Sequence, residues 1–182
     1  MSKRLRKIEL LFIGRIDKQK GIDILLEALK NFEYANDFHL TVIGDAVIDP
    51  VINLKSYKNV HFMGWQKREN VTNEIKKSDI VVIPSRWEGF GIVTLEAMKN
   101  SKMVLASNAG ALPEIVVNEE TGFIFQSNSV AELQSVLKRV KNLSLEDIDL
   151  MGQKGNKRYK NVFSYERMVN QVMDVYKDIL SK

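Results

Sequence analysis

Two carboxylates with seven residues between them bracket a glycine-flanked phenylalanine in "RWEGFGIVTLE", Arg86 to Glu96, directly after the apolar run "DIVVIPS" of Asp79 to Ser85. A helix beginning near Phe90 would present unpaired N–H groups and the positive end of its dipole, which suits a diphosphate. Gly89 and Gly91 would keep side chains clear of that ligand. Glu88 stands ahead of the anion site and would repel phosphate, so its chemistry is to accept hydrogen bonds from hydroxyls of a neutral neighbouring group. Glu96 lies roughly 8 Å further along such a helix, where it could hold hydroxyls on the other side of the diphosphate, such as those of a ribose. Two hydroxyl-binding carboxylates around an anion site outline a nucleotide sugar. The same residues also fit a plain helix, with Glu88 favouring the dipole and Glu96 in solvent.

A second cluster is "GRIDKQKG", Gly14 to Gly21, where Arg15 and Lys20 flank a tight loop after an apolar run. Glycine lets a ligand approach the backbone, Arg can fork onto phosphate oxygens and Lys adds a point charge. An ordinary glycine turn with solvated cations reads equally well. The loop is not a Walker loop, and Gly89 to Thr94 lacks the third glycine of a dinucleotide fingerprint and follows the fourth strand rather than the first. Asp147-Ile148-Asp149 is the one Asp-x-Asp, and it follows Ser144 at an expected helix start, where acidic residues suit the dipole rather than a metal. His39 and His61 lie inside apolar runs, isolated from acidic neighbours in sequence, and are expected to be packed or hydrogen-bonded rather than catalytic.

The elements that must position these groups are legible as short apolar runs: "IELLFIG" from Ile8, "FHLTVIG" from Phe38, "VHFMG" from Val60, "DIVVIPS", "KMVLAS" and "GFIFQ". Runs without alternation suit strands buried on both faces. Their alternation with helical segments such as "GIDILLEALKNF" and "KRENVTNEIKKS" predicts an α/β fold, a Rossmann-like parallel sheet of about six strands with flanking helices. Ligands in such sheets sit beyond the carboxyl ends of the strands, where the loops after Gly14, Gly44, Gly64 and Pro84 lie. The last third is expected to be helical, with Ser129-Val-Ala-Glu132 as a capping box for a helix to about Asn142 and N-caps at Ser144 and Ser164. The stretch "SNAGALPEIVVNEETGFIF" reads by itself as a loop and helix start without chemistry.

Composition bounds the function classes. The 182 residues, 45% of them hydrophobic, suit one domain over residues 1–182. Cysteine is absent, which excludes disulfides and thiolate metal sites. The net charge of +4 is mild, and the opening "KRLRK" of Lys3 to Lys7 reads as a solvated end. The basic residues form no strip interleaved with aromatics, so no nucleic-acid partner is expected. No apolar run approaches the ~18 residues of a membrane span, and the expectation is a soluble, cytoplasmic protein.

Taken in order and spacing, "FIGRIDKQKGIDILLEAL", "VIPSRWEGFGIVTLEAM" and "GALPEIVVNEETGFIF" resemble the C-terminal domain of retaining glycosyltransferases of the two-domain GT-B type, group 1 or family 4. The most specific element is the glutamate pair around Glu-Gly-Phe-Gly. The resemblance implies a retaining hexosyltransferase using a UDP- or GDP-sugar, with a role in bacterial surface polysaccharide or glycolipid synthesis. It further implies that Arg15 and Lys20 bind the donor diphosphate, that Glu88 faces the transferred sugar, and that backbone groups of Phe90, Gly91, Ile92 and Val93 touch sugar and phosphate. Glu96 would hold the ribose, and the loop around Gly64 and Trp65 would receive the base. Arg15, Lys20 and the helix N-terminus would stand in for the divalent metal of another transferase architecture, so no cofactor and no metal are expected. Ala111 departs from the family pattern, where many members have a second glycine.

Family members carry an acceptor domain ahead of this one, and nothing before Ile8 could be that domain. The expectation is therefore a fragment or one subunit of a split enzyme, inactive or weakly active alone, whose N-terminal domain or partner subunit is missing. Any peripheral contact with the inner face of the membrane would come through that half. The segment "FSYERMVNQVMDVYKDIL" resembles the closing helix that leans towards it. A non-catalytic nucleotide-sugar-binding subunit or sensing module is the alternative.

Overall fold

In the computed structural model, which describes residues 6–30, 32–45, 57 and 59–181, the apolar runs form one six-stranded parallel sheet. The strands are β1 (Ile8–Ile13), β2 (Phe38–Ile43), β3 (Val60–Phe62), β4 (Ile80–Ile83), β5 (Met103–Ser107) and β6 (Gly122–Phe125), in the order β3-β2-β1-β4-β5-β6. The strands β4 and β5 are buried along their whole length, as apolar runs broken only by the terminal Ser107 require. β3 forms the edge, and its side chains are at most half-buried.

Successive side chains on each strand point to opposite faces, and so build two cores. On one face Leu10 and Phe12 pack with Leu25 of α1 (Ile22–Lys30) and with Leu133 and Leu137 of α5 (Val130–Lys141). On the other, Leu11, Val81 and Val104 pack with Ile75 of α2 (Arg68–Lys77) and with Ala97 and Met98 of α3 (Ile92–Lys99). A short α4 (Leu112–Ile115), then α6 (Leu145–Arg158) and α7 (Tyr165–Leu180), complete the chain.

Several local expectations need adjustment. α3 starts at Ile92 rather than near Phe90, because Gly91 is its N-cap in the left-handed conformation, φ 62°. No helix passes through that backbone geometry, and an added Cβ there would lie 2.6 Å from Ile115 Cδ1. Ser129 accepts the Glu132 N–H as an N-cap. The reciprocal capping box forms at Ser144, whose N–H and hydroxyl both donate to Asp147. That contact gives Asp147 its role and holds its carboxyl below the ordinary range, the Ser144 hydroxyl being the largest cause. Ser164 caps α7, as expected, and a π-helical turn at Tyr159–Phe163 joins it to α6. α7 carries Tyr165, Met168, Val172, Tyr176 and Ile179 exposed along one stripe.

The basic start is not simply a solvated end. Arg6 forks onto Asp79 at 2.7 and 2.8 Å, and Asp79 also accepts the Glu9 N–H at 2.9 Å. Burial pushes the Asp79 carboxyl up, but the Arg6 and Glu9 hydrogen bonds and the nearby cations outweigh it and leave it below the usual carboxylate value. Lys7 donates to Asn59, while Lys3, Arg4 and Leu5 lie outside the described residues. His39 is not isolated from acids either. The parallel register sets it opposite Glu9, whose carboxylate lies 2.7 Å from Nδ1. His61 is exposed on the edge strand.

Candidate functional site

Strand order reverses between β1 and β4, and the loops that follow these two strands open side by side at their carboxyl ends. The first loop, residues 14–21, leaves β1 with the Gly14 N–H donating to Ile43 and is pinned further along by the Ile16 N–H to the Asp45 carbonyl. Asp17 then accepts the Lys20 N–H at 2.8 Å, a local side-chain-to-backbone bond that closes the turn carrying Lys20. Arg15, half-exposed, is held by Gln19 at 2.9 Å and Asp17 at 3.2 Å.

The second loop, residues 84–91, brings Glu88 to the same place. Its carboxylate meets Lys20 Nζ at 2.7 Å, with Ser85 Oγ at 3.3 Å and the Gly91 N–H at 3.4 Å. Both partners of the ion pair are largely buried, 24% and 14% exposed, so their attraction is less screened than at an open surface. Glu88 therefore stands within the cationic field at the head of α3, not merely ahead of it. The first intrahelical bond is Leu95 N–H to Gly91, so the N–H groups of Ile92, Val93 and Thr94 precede it and point to the mouth of the helix.

Glu96 lies on the same helix, five residues past the cap and about 7.5 Å along it. Its carboxylate is half-buried and accepts no hydrogen bond among the described residues. A carboxylate placed in that way has its acceptor capacity free for an incoming hydroxyl. Phe90 and Ile92 turn their side chains outward, 81% and 62% exposed, and leave their backbone at the site, while Val93 packs on the second core. Gly89 has room for a methyl group, whose nearest neighbour would be Trp87 at 3.6 Å.

The Gly64 and Trp65 loop joins the same end of the sheet. The Gly44 N–H donates to Gly64, and the Asp45 carboxylate accepts the Trp65 N–H at 3.0 Å, leaving the indole exposed. The structure thus brings Lys20, Glu88 and the Gly91 cap of α3 together. Arg15 lies on the Lys20 loop but pairs with Gln19 and Asp17, Glu96 lies further along α3, and Gly64–Trp65 follow β3 at its carboxyl end.

Three contributors carried no local signal. Gly110 lies in the loop read as free of chemistry, yet it packs its α-carbon directly on the Glu88 carbonyl at φ 53°, and Ala111 donates to that carbonyl at 3.3 Å. The Ser85 carbonyl is held from below by Ser107 Oγ at 2.6 Å and Ser127 Oγ at 3.2 Å. Arg86 forks onto Asp23 at 2.8 Å through both terminal nitrogens. A cation next to Glu88 and an acid in the first turn of α1 are visible in sequence, but nothing local says that they meet. Thr94 Oγ1 is the one buried side-chain polar atom without a partner among the described residues. No group of His, Cys, Asp and Glu suited to a metal ion occurs among the described residues, and none of the described helices is long and apolar enough to cross a membrane.

The model of the family described as glycosyl transferases group 1 matches residues 2–158. An uncharacterised glycosyltransferase of Methanocaldococcus jannaschii is 33% identical over 174 residues, covering 93% of this chain and 48% of that protein. The Escherichia coli UDP-Gal:alpha-D-GlcNAc-diphosphoundecaprenol alpha-1,3-galactosyltransferase is 27% identical over 179 residues, covering 92% of this chain and 45% of that enzyme. Among solved structures, the C-terminal domain of a glycosyl transferase group 1 family protein from Francisella tularensis is similar with a TM-score of 0.75 at 27% identity, over 88% of each chain. The chain spans about half the length of the curated relatives it matches.

Proposed function

The chain belongs to the glycosyl transferases of group 1, with the fold of their C-terminal domain, and on that premise we propose that it binds a nucleoside-diphosphate sugar and presents it for transfer. The observation that carries this reading is the meeting of Lys20 with Glu88 at the head of α3, 2.7 Å apart across the β1–β4 switch point, with the unengaged Glu96 further along the same helix. The donor is a UDP- or GDP-sugar. The E. coli relative, which carries UDP-Gal in its name, favours UDP.

Transfer builds negative charge on the leaving phosphate and positive character at the anomeric carbon. Arg15, Lys20 and the free N–H groups of α3 supply a fixed positive field for that phosphate. Donor binding exchanges partners at the site: Lys20 and the α3 N–H groups pass to the diphosphate, and Glu88 passes to hydroxyls of the sugar. Glu96 takes the ribose hydroxyls, and the Gly64–Trp65 loop takes the base. The sugar keeps its anomeric configuration, as in the retaining members that the sequence resembles. The acceptor site belongs to an N-terminal domain or partner subunit, through which the protein works at the inner face of the membrane in surface polysaccharide or glycolipid synthesis.

Calorimetry with UDP-, GDP- and ADP-sugars tests the donor site, with Arg15→Ala and Glu96→Ala as controls. Binding by the wild type that weakens in both variants is the expected result. No binding, or binding indifferent to both changes, refutes the reading. Binding without transfer once an acceptor domain is supplied would favour a non-catalytic binding subunit.

A further inference from the structure

We propose that Arg86 is a positioning residue of the donor site, which fixes Lys20 against Glu88 through a fork that spans both sides of the Lys20 segment. This inference rests on the donor-site reading above. The Arg86 N–H donates to the Gln19 carbonyl at 2.8 Å, and Nη1 donates to the Lys18 carbonyl, so the two residues ahead of Lys20 are both held. Nη1 and Nη2 then reach past Lys20 to the two carboxylate oxygens of Asp23, each at 2.8 Å, in the first turn of α1. Nε donates to Asn128 at 2.7 Å, which anchors the fork to the loop after β6.

Lys20 is therefore bracketed in sequence by residues that one guanidinium grips, and Glu88 lies two residues beyond that guanidinium. The position of the Lys20 ammonium relative to Glu88 is set by Arg86 as much as by either loop. The charge of Arg86 is not itself available to a phosphate, because Asp23 neutralises it. The Asp23 hydrogen bonds raise the guanidinium pKa further against its partial burial. Burial pushes the Asp23 carboxyl up, yet Arg86 outweighs it and leaves it below the usual range. Both groups thus stay charged and paired throughout the neutral range. Lysine keeps the backbone bond to Gln19 but cannot reproduce the rest, since an ammonium has no planar fork to hold the Lys18 carbonyl, the Asn128 side-chain oxygen and the Asp23 carboxylate together.

The test is calorimetry with UDP-glucose and GDP-mannose as probes, the tighter of the two serving for the variants. Arg86→Met and Asp23→Asn are each expected to weaken binding about tenfold, and the double variant no more than either alone. Arg86→Lys, which keeps charge and length, is expected to share the loss while keeping the wild-type circular dichroism. In a Lys20→Ala background the Arg86→Met effect should vanish, whereas in a Glu96→Ala background it should persist in full. A general loosening of the fold would instead weaken binding by the same factor in both backgrounds, and that result overturns the positioning role. Wild-type affinity in Arg86→Met overturns it as well, and leaves the donor site standing. If the wild type binds neither probe nor any other donor of the panel, the donor-site reading falls and the positioning role falls with it.

Discussion

Replacing Gly110 by alanine should damage the site from a position outside the residues assigned to the donor. The residue sits at φ 53°, and a Cβ built on it would fall on the carbonyl oxygen of Glu88. A left-handed conformation costs an L-residue roughly 1–2 kcal/mol. The collision forces Glu88 and Gly110 apart, which breaks the 3.3 Å hydrogen bond from Ala111 to the same carbonyl and costs about 1 kcal/mol more. The expected loss is about 2–3 kcal/mol, or about 4–12 °C in melting temperature for a chain of this size. Urea unfolding followed by circular dichroism measures it, and calorimetry with the bound donor should show weakened affinity, because the displaced carbonyl carries the Glu88 carboxylate with it. Gly89→Ala is the control. It lies one residue beyond Glu88 on the same loop but meets only Trp87 at 3.6 Å, so its stability should stay within about 0.5 kcal/mol of wild type. Wild-type stability and affinity in Gly110→Ala, or an equal loss of stability in Gly89→Ala, would refute the reasoning.

Two further perturbations probe the frame. Asp79→Asn should cost about 1–3 kcal/mol at neutral pH, since it loses the charged fork with Arg6. Because the folded Asp79 pKa is lowered, that contribution is fully present above the unfolded value of about 3.9 and disappears as pH falls through the lower folded value. Paired unfolding curves from pH 7 down to the acid limit should therefore converge, and a gap that ignores pH would count against the assignment. Thr94→Val swaps a fully buried, unpartnered hydroxyl for a methyl group of similar shape. It should leave stability unchanged or raise it by about 1 kcal/mol, and a measured loss of that size would mean that the hydroxyl has a partner.

What the sequence determined by itself is what depends on neighbours along the chain. Short apolar runs bounded by turn residues imply the strands β4 and β5, and β1 despite its Glu9, because runs too short for a helix and apolar without alternation suit strands buried on both faces. Serines 129, 144 and 164 mark helix starts because an N-cap bond closes within three residues. Arg15, Lys20, Glu88 and Glu96 stand out because each lies in a loop or helix start with a local glycine pattern. The later start of α3 was not legible, since glycine is compatible with either a helical or a left-handed backbone and only the folded loop sets Gly91 in the latter.

Tertiary structure decided which of these groups meet. Lys20 and Glu88 are 68 residues apart, and Arg86 and Asp23 are 63 apart. Only the placement of β4 beside β1 makes either pair neighbours. The Arg6–Asp79 fork and the Glu9–His39 contact likewise follow from strand adjacency and register. Gly110 reads as a loop glycine until the sheet brings its backbone onto that of Glu88. Residue type and short spacing state what chemistry each group can do, because those follow from covalent structure and backbone propensity. The order of the strands decides where the groups converge, because it alone sets the distances between segments that are remote along the chain.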